Sequence, residues 1–296
     1  MKKTGLFRAL CTIFSAIAVL VLAQGAALIA GELAVMAGVH AAIGNVIAGV
    51  LYIALAYLGV RLVCCKIMKL SAAQCRIAVK RPAWVWVISA VLMPAMVCAA
   101  FFLSPGKWEI NRFDMGESVT LLTGSLFFYS LGAGFVEEMV FRGVIMTALE
   151  RQLNKTTAIL LPSVLFGAVH IMGSKLDAAS AVQLVIAGTV VGILFSLVTC
   201  QSGSVWSAAV MHAVWNFSII GVMHIGTEPS RSAIVNYILK SKSFMITGGD
   251  FGIEASVVAI AAYSLCIAVA LVMMRYPRSR TALSDVDSDS AVDCGN

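Results

Sequence analysis

The 296-residue chain is 60% hydrophobic and only 12% charged, with a mean hydropathy of +0.94. Soluble domains carry about 25% charged residues and are about half apolar, so this composition excludes an ordinary soluble domain and predicts an integral membrane protein. The net charge of +6 is concentrated in a few loops and forms no basic stripe, which points to topology signalling and to no nucleic-acid partner.

Apolar runs long enough to cross a hydrocarbon core as helix, about 20 residues each, recur throughout. Eight are predicted, at 7–31, 43–65, 84–103, 120–148, 156–172, 179–200, 204–223 and 253–274, the fifth being short. The expected fold is therefore all-α: one polytopic transmembrane domain over 1–280, followed by a polar, acidic, disordered tail at 281–296. The N-terminus carries Lys2, Lys3 and Arg8, and the first run offers Ala23-Gln24-Gly25 as a cleavage site. Its apolar stretch of about 25 residues exceeds the core of a signal peptide, so it reads as an uncleaved helix. The first loop has no Lys or Arg, whereas the second has Arg61, Lys66, Lys69, Arg76, Lys80 and Arg81. In the third loop Lys107 and Arg112 are offset by Glu109, Asp114 and Glu117. The fourth carries Arg151 and Lys155, the fifth Lys175, and the sixth none. Arg231, Lys240 and Lys242 are spread along the seventh, and Arg275, Arg278 and Arg280 follow the last run. By the positive-inside rule, the even-numbered loops and both termini are cytoplasmic.

The basic second loop, with Ile67, Met68, Leu70, Ile77 and Val79 interspersed, reads equally as an interfacial helix or as a plain topology loop. The seventh loop, with residues 233–239 and then Gly248-Gly249, reads as a partly ordered external segment. Eight cysteines show no C-x-x-C spacing, which predicts reduced thiols in structural roles.

Charge inside these runs is expensive, about 2.5–3.5 kcal/mol for a carboxylate or arginine at the centre on insertion scales. Glu138 and Arg142 are four residues apart on the fourth run, so they share a face and can pair. That pair reads equally as a packing lock or as support for a reactive group. Glu137 points about 100° away, leaving it free to accept and release a proton. His170 lies one helical turn after Phe166, and Asn216 one turn after His212. At 1.5 Å per residue, Glu137, His170 and His212 fall roughly 12–22 Å from the same membrane edge and can meet. His40 and His224 sit at external ends without a partner motif and receive no role. Two imidazoles and a carboxylate can hold a divalent metal with an open position for water. Alternatively, the glutamate can act as general base on water while histidine and asparagine stabilise an oxyanion. Both readings end in water attacking a carbonyl.

Glu137-Glu138-x-x-x-Arg142, Phe166-x-x-x-His170 and His212-x-x-x-Asn216, in that order on successive runs, resemble the motifs of the CAAX protease and bacteriocin-processing family, CPBP or Abi. The matching stretch covers roughly residues 120–225. The resemblance implies an eight-helix intramembrane endopeptidase with Glu137, His170, His212 and Asn216 as catalytic residues. Glu138, Arg142 and Phe166 would support them. Glu137 would be the water-activating base or, with His170 and His212, a ligand of a divalent zinc ion. The implied surroundings are the lipid bilayer of a bacterial plasma membrane, and the implied substrate is a membrane-associated peptide or protein. Two other classes fit the same residues: a non-catalytic immunity or scaffold protein with a structural polar cluster, and a proton-coupled transporter, which an inverted repeat would have favoured. Gly188-x-x-x-Gly192 predicts close helix packing inside the bundle.

Overall fold

A computed structural model describes residues 3–172 and 174–276; the predicted acidic tail at 281–296 lies outside the described residues. Eight principal helices form the bundle: α1 (Lys3–Met36), α2 (Ala41–Met68), α3 (Trp84–Phe102), α4 (Met115–Glu150), α5 (Lys155–Val169), α6 (Ala178–Ser202), α7 (Val205–Val222) and α8 (Val257–Arg275). Among the described residues, seven of these helices are long and apolar enough to cross a membrane. The 15-residue α5 is the run predicted to be short. It rises about 22 Å at 1.5 Å per residue, so it ends inside the bundle's thickness and leaves His170 at its tip.

Side-chain caps place the helix starts. Asp114 and Glu117 form a reciprocal capping box at α4, each carboxylate accepting the other residue's backbone N–H at 2.8 and 3.0 Å. Asn154 caps α5 and Asp177 caps α6, at 2.9 and 2.7 Å. Ser256 caps α8 by accepting the Ala259 N–H at 3.1 Å. That cap shifts the last span from the predicted start at 253 to 257, because the apolar run continues through a separate 3-10 turn at Ile253–Ala255. Glu254 is thereby left in the loop.

The interfacial-helix reading of the second loop does not hold. After α2 ends at Met68, residues 72–76 make turns. Leu70, Cys75 and Ile77 are buried, Arg76 pairs with Glu150 at 2.7 Å, and Trp206 donates its indole N–H to the Ala78 carbonyl at 3.0 Å. Contacts to the end of α4 and the start of α7 satisfy this backbone without a helix.

Three short strands, not foreseen in the all-α reading, bind the loops together. β1 (Gly106–Ile110) pairs antiparallel with β3 (Val235–Leu239), which pairs parallel with β2 (Met223–Gly226). β3 falls in the segment predicted to be partly ordered. Its Val, Tyr, Ile and Leu side chains suit a half-buried pleat. Cys11, Cys64, Cys75, Cys98, Cys200 and Cys266 are free thiols, as their spacing predicts; Cys65, against that expectation, is disulfide-bonded.

The small residues of α6 pack against α5 inside the bundle. A Cβ on Gly188 would lie 2.6 Å from the Gly167 Cα, and one on Gly192 would lie 2.8 Å from the Ser163 Cα. Both obstacles are backbone atoms that cannot swing aside. Gly188→Ala is therefore expected to destabilise the protein by about 1–3 kcal/mol, the usual range for overpacking. Thermal melting in detergent checks this, and an unchanged melting temperature would contradict the close contact.

Candidate active site

Five helices and one loop converge on a cavity of about 160 Å³. Glu137 lines it from α4, Phe166 and His170 from α5, Phe195 from α6, and His212, Trp215 and Asn216 from α7. Six of the seven predicted site positions thus either line the cavity or bond directly to a group that does, and Phe166 links both sets.

The two glutamates are adjacent in sequence and differ in surroundings. Wide, π-type turns at Met139–Ile145 follow them on α4, and turns of this kind concentrate at functional sites. Glu138 is fully buried and its Oε1 accepts from Arg142 Nη1 at 2.8 Å. Arg142, also fully buried, donates through Nη2 to the Gly192 carbonyl at 3.2 Å. Its guanidinium carbon lies 4.4 Å from the Phe166 ring centroid and 5.4 Å from that of Phe195. A desolvated cation over aromatic faces gains about 2 kcal/mol or more. Phe166 therefore serves as a platform: Arg142 stands over its face while His170 and His212 meet its ring at 4.7 and 5.9 Å.

His212 is buried between the two carboxylates. Its Nδ1 lies 3.1 Å from Glu138 Oε1, and its Nε2 lies 3.9 Å from Glu137 Oε2. Glu138, paired with a guanidinium, is an acceptor, so the imidazole donates from Nδ1 and turns Nε2 toward Glu137. Phe195 stacks on the same imidazole at 5.2 Å and 21°, fixing its plane. His170 is held in a similar way, with Nδ1 2.7 Å from the Phe166 carbonyl, again an acceptor only. Asn216 donates one N–H to the Tyr129 carbonyl at 2.9 Å and keeps a second. Glu137 is 19% exposed, and among the described residues its Oε2 makes no hydrogen bond to protein.

Among the described residues, no three His, Cys, Asp or Glu side chains converge closely enough to hold a metal ion. The donor set Glu137, His170 and His212 shares the cavity without closing on one point.

Among the cavity residues that escape the motif reading, two come from one loop. Phe251 and Glu254 enter from the loop that precedes α8. Glu254 accepts the Trp215 indole N–H at 3.2 Å, and its backbone carbonyl accepts the Tyr263 hydroxyl at 3.3 Å. A signal existed: Glu254 is an ionisable residue at the edge of an apolar run, the same feature that singled out Glu137.

Residues 119–218 match the family model described as type II CAAX prenyl endopeptidase Rce1-like, a stretch that contains all three motifs. No curated protein and no solved structure matches the chain.

Proposed function

We propose that the chain, a multi-pass membrane bundle whose residues 119–218 match the Rce1-like type II CAAX prenyl endopeptidase model, is an intramembrane endopeptidase. It hydrolyses a peptide bond of a membrane-associated peptide or protein with water activated by Glu137. The observation that carries this reading is the contrast within the glutamate pair. Glu138 is bound to Arg142 at 2.8 Å, while Glu137 faces a cavity and the Nε2 of His212 at 3.9 Å.

The chemistry follows from those positions. Water held between Glu137 and the substrate carbonyl gives a proton to the carboxylate as its oxygen attacks the carbon. His212, oriented by Glu138, places its lone pair beside that water. The remaining N–H of Asn216 faces the negative charge that develops on the carbonyl oxygen, where a preorganised donor acts most strongly. Phe166 and Arg142 keep the arrangement rigid, and the apolar walls at Leu184, Val191 and Ile220 limit the water that can enter. The cell context we infer is a bacterial plasma membrane with both termini cytoplasmic.

The test is a comparison of membrane and secreted peptidomes from cells carrying the wild-type chain or Glu137→Ala. Peptides that accumulate uncleaved only in the variant identify the substrate. Indistinguishable peptidomes at equal protein levels would count against a peptidase.

A further inference from the structure

Hydrolysis of an amide needs a proton at the leaving nitrogen as well as a base for the water. Both imidazoles of the cavity direct their Nδ1 proton at a fixed acceptor, His170 at the Phe166 carbonyl and His212 at Glu138. In the neutral ring each Nε2 is then a lone pair. Glu137 is the base, and an asparagine amide gives hydrogen bonds without giving up its proton. The motif donors are thus committed to fixed partners, and the proton the motifs gain in the reaction is the water proton taken by Glu137.

Glu254 meets that need by its position. It shares the cavity with Glu137, His170, His212 and Asn216. Trp215 Nε1–H binds Oε1 at 3.2 Å, which leaves Oε2 as the second carboxyl oxygen. Its placement is over-determined by the loop that carries it. Gly248, Gly249 and Gly252 adopt φ of 80°, 63° and 102°, and a Cβ on Gly248 would overlap the Gly252 carbonyl, so the reversal depends on glycine. Ser180 binds the Asp250 N–H at 3.0 Å, Asp250 binds the Asp177 N–H at 3.1 Å, and Gln183 binds the Ala255 carbonyl at 2.9 Å. A carboxyl brought into an enclosed site by this many bonds is a constructed feature of the cavity.

We propose that Glu254 is a second catalytic carboxylate of this site, the acid that protonates the leaving amide nitrogen. The proposal rests on the peptidase reading and extends it. The water proton passes to Glu137 as the new C–O bond forms. The C–N bond then breaks as nitrogen takes the proton from Glu254 Oε2. Glu137 is left protonated and Glu254 ionised, and transfer of that proton through cavity water restores both, so one water is consumed per bond. The groups facing Glu254 fit this role. Burial raises its carboxyl above the ordinary carboxylate range, while His170, the Trp215 hydrogen bond and His212 pull the other way. Tyr263 contributes a hydroxyl to its backbone and no cation.

The experiment compares two substrates with the same membrane-tethered acyl sequence, one with a peptide bond and one with an activated ester whose leaving group needs no proton. Glu254→Gln keeps an oxygen for Trp215. It is expected to slow amide cleavage by about 10²-fold or more, the usual contribution of a general acid, and ester cleavage by less than about tenfold. Glu137→Gln is expected to lose both. Glu254→Asp, which keeps the proton, is expected to cleave the amide faster than Glu254→Gln, and this comparison holds even if both variants melt earlier than wild type. Equal slowing of ester and amide, an unchanged Glu254→Gln, or equal Asp and Gln variants would overturn the acid role alone. A wild-type protein that cleaves neither substrate would overturn the peptidase reading together with the proposal.

Discussion

Glu137→Gln is expected to reduce peptide cleavage by about 10³-fold, within the range for loss of a general base, while shifting the melting temperature by no more than about 2 °C. The two readouts separate because of the site's construction. Glu137 Oε2 has no hydrogen-bond partner among the described residues, so the amide removes no bond from that atom. Gln fills the same space at the cavity wall. The reaction, however, loses the carboxylate placed beside the cavity-facing Nε2 of His212. Glu138→Gln is expected to behave differently. It weakens the Arg142 pair and the His212 orientation together, so activity and stability fall in the same variant. Steady-state cleavage and detergent melts of the two isosteric variants check the contrast, and identical behaviour would mean that adjacency in sequence had been read as a difference in function that does not exist.

The largest stability effect is expected from Arg142→Ala, about 3–5 kcal/mol, the cost of leaving one partner of a buried ion pair alone. Arg142 holds together contacts that share no other element: Glu138 on its own helix, the Gly192 carbonyl on α6, and the Phe166 and Phe195 rings from α5 and α6. Removing it strands the Glu138 carboxylate at zero exposure. The double variant Glu138→Gln/Arg142→Met is expected to recover much of that loss, because it removes both charges and fills the volume. Activity is expected to stay low in the double variant, since His212 then lacks a carboxylate at Nδ1. Chemical denaturation of the single and double variants measures the coupling, and additive losses would contradict a shared pair.

The spans were legible because they are properties of composition: each apolar run became a helix, including the short fifth one. The Glu138–Arg142 pair was legible because four-residue spacing fixes a face, and it survives the π-type turns at Met139–Ile145. The meeting of Glu137, His170 and His212 was legible from depth, and that of Asn216 from its one-turn spacing after His212. Phe166 was legible as a motif position but not as a platform, because its contacts run to His212 on one distant helix and to Arg142 on another. Glu254 was hidden by its own surroundings. Hydropathy cannot distinguish the last turn of a loop from the first turn of a span, and the Ser256 cap decides that boundary. The sheet was hidden because β1 and β3 lie more than 120 residues apart, and strand pairing at that separation leaves no periodic trace.

The central claim is that Glu137 drives the attack of water on a peptide bond within the membrane bundle. Its most direct test is cleavage of a membrane-tethered peptide by purified protein in oxygen-18 water, read by mass spectrometry of the products. Wild type is expected to release a fragment whose new carboxylate carries one oxygen-18 from the first turnover onward, and Glu137→Gln at equal folded amount is expected to yield no labelled product. A labelled fragment appearing at the wild-type rate from Glu137→Gln, or no labelled fragment from the wild type, would contradict the account.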